Sequence, residues 1–154
     1  MNYQERKAVS PVIATVILVA VAITVSVGVS YWMGGISSQY TQFEKIEVQT
    51  GFATAVAGGW DVTMTVKNSG SADATITHVF VNDVPVTNLA ASAVVAGETG
   101  ADVPATGLGL TAGEAGTVMV YISSSYGSLS AGTTVNIKLH SAGGMDYIKL
   151  IKLP

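Results

Sequence analysis

Residues 7–35, KAVSPVIATVILVAVAITVSVGVSYWMGG, follow Arg6 and carry no charge after Lys7; the next charged residue is Glu44. An apolar run of 18 or more residues predicts a membrane-spanning helix. Only helices and closed barrels satisfy the backbone in lipid, and one segment cannot close a barrel. Val and Ile favour strands in water, yet here they must be helical. Ser10 is placed to cap this helix, and Pro11 fits the first helical position, where a missing N–H costs nothing. Continued to Lys45, the helix is roughly 50 Å long, against a hydrocarbon core of about 30 Å. A lipid span alone leaves the excess unexplained.

Two further patterns bear on that excess. Ala22, Ser26, Ser30 and Gly34 recur every fourth residue, and Ala20, Thr24 and Gly28 form a parallel row. Small residues at this spacing let helices approach closely in an apolar medium, so these seven positions are the expected helix–helix packing faces. Gly28 and the pair Gly34-Gly35 are the expected bend points. A secretory signal peptide has a shorter apolar core followed by a small-residue cleavage site, and neither feature is present. A helix uncharged on every face must be buried on every face.

Composition narrows the function classes. The 154 residues include seven basic and ten acidic side chains. No large basic patch is possible, so nucleic acid is excluded as a partner. There is no cysteine, and hence neither a disulfide framework nor a thiolate metal site. Charged residues make up 11% of the chain and hydrophobic ones 49%, a balance that excludes disorder.

The residues 6–29, RKAVSPVIATVILVAVAITVSVGV, closely resemble the N-terminus of archaeal type IV pilins, with Ser10 to Ala14 the most specific part of the match. The resemblance covers about the first 45 residues and extends to the remainder only as an architecture. It implies a leader of residues 1–7 with a class III signal peptide, cut between Lys7 and Ala8 ahead of the hydrophobic stretch. It also implies a prepilin peptidase, an assembly ATPase and a membrane platform protein as partners, and self-association into a helical homopolymer. Bacterial relatives keep a glutamate at the fifth mature position. Here that position is Val12, so assembly would rest on apolar packing. The implied protein is a precursor in the cell membrane and then an extracellular adhesive filament. Arg6 and Lys7 on the inner side agree with the positive-inside rule. A subunit of an archaeal motility filament (an archaellin) shares the plan and is the second alternative. A membrane-anchored binding module that never polymerises is the third.

The expected domains are the leader 1–7, the helix 8–45 and a head 46–154. In the head, residues 60–67 alternate, with Trp60, Val62, Met64 and Val66 on the buried face of a strand. Residues 74–81 form the next strand; Asn82-Asp83 makes a tight hairpin to Val84-Pro85-Val86, and Pro85 places that strand at an edge. Residues 88–116 are Ala/Gly-rich and predict loops with one or two short strands. Val118, Val120 and Ile122 point inward from the strand 116–122, and Val135, Ile137 and Leu139 from the strand 133–140. A final strand covers 145–153. Short strands separated by turn signals predict an immunoglobulin-like β-sandwich. The fold class is therefore α+β: a long N-terminal hydrophobic helix followed by an all-β head.

No catalytic, cofactor or metal constellation is visible, and an enzyme is the weakest option. His78 and His140, the only histidines, each lie on a predicted strand with no acid or Cys at ligand spacing, and are expected to be surface or edge imidazoles. The glycines of residues 107–113 lack the Lys-Thr of a phosphate loop, so this stretch is expected to be a surface loop. The head charges, negative from Asp73 to Glu114 and positive at Lys138, Lys149 and Lys152, are expected to act as dispersed solubilising charge.

Overall fold

A computed structural model describes residues 11–93 and 97–154. The expected leader, the cut between Lys7 and Ala8 and the cap at Ser10 lie outside the described residues. The chain divides between Thr41 and Gln42 into two compact units.

The first unit is one helix, α1, Pro11–Tyr40. Pro11 is the first described residue and is already helical. The helix runs uninterrupted through Gly28 and Gly34-Gly35, so the hydrogen-bonded ladder does not break where bends were expected. It stops five residues short of Lys45 because the backbone from Phe43 onward is used by the head. The carbonyl of Phe43 accepts from the N–H groups of Ser71 and Ala72, and that of Lys45 from Ser69 and Gly70.

The described residues of the second unit form ten strands. β1 (Ile46–Val56), β2 (Gly59–Asn68), β3 (Ala74–Val81) and β4 (Val84–Pro85) come first. β5 (Asn88–Leu89), β6 (Thr99–Ala101) and β7 (Leu108–Leu110) are short, and β8 (Ala115–Ser123), β9 (Thr134–Ser141) and β10 (Asp146–Lys152) complete the set. One sheet has the order β1-β2-β8-β6-β5; the other has β10-β9-β3-β4, with β7 also paired to β3. Among the described strands the chain changes sheet between β2 and β3, β4 and β5, β6 and β7, β7 and β8, and β8 and β9, and both sheets contribute to one core.

The alternation in the sequence sets which side chains enter that core. Trp60, Val62, Met64, Val66, Val118, Val120, Ile122, Val135, Ile137 and Leu139 belong to a single buried cluster fed by both sheets. Asn82 and Asp83 take φ of 51° and 64°, the left-handed pair that a two-residue hairpin turn requires and that Asn and Asp tolerate. Pro85 lies on the edge strand β4, where its lack of a donor leaves no ladder bond unmade. Asn68 is fully buried. Its Nδ2 donates to the carbonyls of Ala72 (2.8 Å) and Leu110 (3.0 Å), and its Oδ1 accepts from the Gly70 N–H at 2.9 Å. One side chain thus satisfies three backbone groups of the loop between β2 and β3 and of β7.

Three features of the head differ from the expectation. β1 was not foreseen. Most of its residues are exposed, and a bulge between Val48 and Thr50 shifts its register, so no clean period of two is left to read. The segment 88–116 holds three short strands rather than one or two. Residues 107–113 are not simply a surface loop, because Leu108–Leu110 pairs with Ala74–Ile76 and Leu110 is buried. The turn that follows is closed by Glu114, whose Oε2 accepts from the N–H and the hydroxyl of Thr111 at 2.8 Å each.

Candidate functional site

The candidate site is the surface of α1. Its 30 residues span roughly 45 Å at 1.5 Å per residue, and residues Pro11–Ser38 are long and apolar enough to cross a membrane. No residue of this helix carries a charge. Its large side chains are exposed all the way round: Val12 69%, Ile17 56%, Leu18 69% and Val27 65% mark different faces. A surface helix of a soluble protein shows an apolar stripe about 100° wide with polar residues opposite. This helix has no polar face, so water is an unfavourable environment for any side of it.

Three hydroxyls within the apolar run, those of Thr15, Thr24 and Ser26, are satisfied locally. Thr15 Oγ1 donates to the Val12 carbonyl at 2.8 Å, Thr24 Oγ1 to Ala20 at 2.8 Å and Ser26 Oγ to Ala22 at 2.7 Å. Such back-bonding removes the cost of carrying an unpaired O–H into an apolar medium. The sequence contained a signal for this, Thr or Ser four residues after a backbone carbonyl on a helix, which reading the rows as packing faces alone passed over.

Ala20, Ala22, Thr24, Ser26, Gly28, Ser30 and Gly34 all lie exposed on α1. A Cβ added to Gly28, Gly34 or Gly35 would meet nothing within 4 Å. Glycine inside a helix costs about 0.5–1 kcal/mol relative to alanine, and no contact among the described residues explains that cost.

The head carries no catalytic constellation of the residues singled out, but it does bring some of them together. His78 and His140 are direct cross-strand partners on β3 and β9, with ring centres 6.2 Å apart. His140 Nδ1 lies 2.6 Å from Asp146 Oδ1, on the paired position of β10. The expectation that no acid stands beside either histidine holds along the chain and fails across the strands. Beside them Lys138 Nζ sits 2.9 Å from Asp83 Oδ1 and 4.8 Å from the centre of the Phe80 ring. The hydrogen bond that Lys138 donates to Asp83 raises the Lys138 pKa above its ordinary value. Lys138 therefore has a partner within its own head. Among the described residues, no group of three His, Cys, Asp or Glu could hold a metal ion.

The outward face of β10 carries the large apolar side chains Ile148 and Leu150, 58% and 67% exposed. On the other sheet, Tyr121 is buried although it faces away from the core, beside Asp61 in the register. Burial, then the charges of Asp102 and Asp61, raise its pKa.

No model of a known protein family matches the chain, and no curated protein matches it.

Proposed function

We propose that this chain is a structural subunit of an extracellular helical filament of the archaeal type IV pilin kind, polymerising through α1 and displaying its head for adhesion. The observation that carries the reading is the unburied apolar surface of α1 over its whole circumference and its full 30 residues. A bilayer of about 30 Å accommodates two thirds of it; a core of like helices accommodates all of it. The open space around Gly28 and Gly34 suits close approach of neighbouring helices, and the locally satisfied hydroxyls suit a dry environment.

The head supports an immunoglobulin-like reading. On this reading β1, β2, β8 and β6 correspond to strands A, B, E and D, and β10, β9, β3 and β4 to G, F, C and C′, a correspondence that rests on the two sheet orders. β5 and β7 are additions to that plan.

On this reading the leader 1–7 is removed between Lys7 and Ala8 by a prepilin peptidase. The subunit waits in the membrane, and an ATPase with its platform protein moves it into the fibre. Sheared surface fibres are expected to contain the chain with Ala8 as its first residue, and Lys7→Glu is expected to stop both processing and fibre formation. A mature chain still starting at Ala8 in that variant would falsify the cleavage assignment. Recovery of the chain only from detergent-extracted membrane would replace the filament by an anchored binding module. Loss of swimming on deletion would move it to the motility filament.

A further inference from the structure

The chain has two histidines, and the fold sets them directly opposite each other on neighbouring strands. We propose that His78 and His140 form a two-imidazole site for a divalent first-row transition-metal ion, with Cu2+ bound most tightly and Asp146 orienting His140. The site lies wholly in the head and does not depend on the filament reading.

The ring contacts indicate which atoms are free. His140 Nδ1–H donates to Asp146 Oδ1 at 2.6 Å, which leaves the Nε2 lone pair free. A carboxylate on the far nitrogen is the usual arrangement behind a metal-bound imidazole, holding its tautomer and raising its basicity. His78 Nδ1 lies 3.1 Å from Thr77 Oγ1, so its Nε2 is likewise free. Two imidazoles sharing one ion with N–metal bonds of about 2.0–2.1 Å have ring centres about 4.5–6.4 Å apart, for N–metal–N angles from right-angled to linear. The observed separation of 6.2 Å lies within that span. A tetrahedral angle requires the rings to close by about 1 Å and a right angle by about 1.7 Å, which the exposed His78 can supply by side-chain rotation.

The surroundings favour a cation. The Asp146 carboxylate lies next to His140, while Lys138, on the same strand, is matched by Asp83. Both rings reach solvent, His140 with 37% of its side chain exposed, so water can complete the coordination shell. Imidazole ligands suit copper, nickel and zinc, and affinity for a given site rises to a maximum at Cu2+.

The test is a CuCl2 titration of the untagged full chain in a non-ionic detergent and a non-coordinating buffer, followed by calorimetry and electron paramagnetic resonance. One saturable equivalent per chain is expected, with hyperfine structure from two nitrogens. His78→Asn and His140→Asn should each lower affinity at least tenfold and remove one nitrogen from the spectrum. Asp146→Asn should keep both nitrogens and weaken binding by about tenfold to a hundredfold. Both histidines are outside the core cluster, so the melting temperature of the metal-free variants is expected to stay that of the parent. No saturable equivalent, or an affinity unchanged in both histidine variants, overturns the site. Unchanged affinity in Asp146→Asn removes the orienting role.

Discussion

Helix and head are built from similar apolar residues and treat them in opposite ways. In the head, Val62, Met64, Val66 and Ile122 are fully shielded by two sheets that supply each other's partners. In α1, Val16, Ile23 and Val25 remain 57–62% exposed, because one helix cannot cover itself. The head therefore contains the apolar contacts its stability needs, whereas α1 needs contacts from outside the chain. The contrast separates a unit that covers its own apolar surface from one that leaves it open.

The widest difference should appear when the same kind of deletion is made in each unit. Ile122→Ala removes a fully buried side chain and should destabilise the head by about 2–5 kcal/mol, a large share of a typical domain's 5–15 kcal/mol. Ile17→Ala, at 56% exposure, should leave the head's melting temperature unchanged. Equal shifts in thermal unfolding would break the contrast.

A charge tests the helix directly. Ile23→Lys near the middle of α1 costs about 2.5–3.5 kcal/mol at a bilayer centre. The yield of sheared filaments should fall by about a hundredfold, with the circular dichroism of the β-sheets unaltered. Normal filament yield would mean that α1 is not the assembling surface.

Smaller effects sharpen the account of the head. Asn68→Ala leaves the carbonyls of Ala72 and Leu110 without their amide donor and should cost about 1–3 kcal/mol in chemical denaturation. If stability does not change, the loop from Ser69 to Ala72 is held by its backbone bonds alone. The smallest effect concerns Glu114, whose pKa lies below the ordinary 4.5 because it accepts from the backbone and then the hydroxyl of Thr111. Its stabilisation is present above the unfolded value and is lost as pH falls through the folded one. Melting temperatures of Glu114→Gln and parent should therefore differ at neutral pH and converge once pH drops below that folded value. A constant gap across the acid range would show that the turn does not depend on the carboxylate.

Much of the fold was legible because its periods are clean. Residues 60–67, 116–122 and 133–140 alternate without interruption, and each lies on a strand with the expected face inward. The hairpin at Asn82-Asp83 was legible for a local reason: few side chains accept two successive positive φ values. β1 was not legible because an edge strand with a bulge buries little, and burial is what writes a period into a sequence. The shorter helix was hidden for a related reason. Gln42, Phe43 and Glu44 have no intrinsic barrier to continuing a helix; the chain leaves it because the loop at Ser69–Ala72 supplies donors for the carbonyls of Phe43 and Lys45.

By itself, the sequence determined one long helix with no polar face, several half-buried strands and the ten side chains that line the core. These follow from hydrophobicity and spacing, which act along the chain. Only the tertiary structure decided that β2 lies beside β8 rather than β3, that Asn68 closes the core's rim, and that His78, His140 and Asp146 meet on one face. Those contacts depend on sheet order and register, which are set by two layers packing against each other and leave no mark within any single segment.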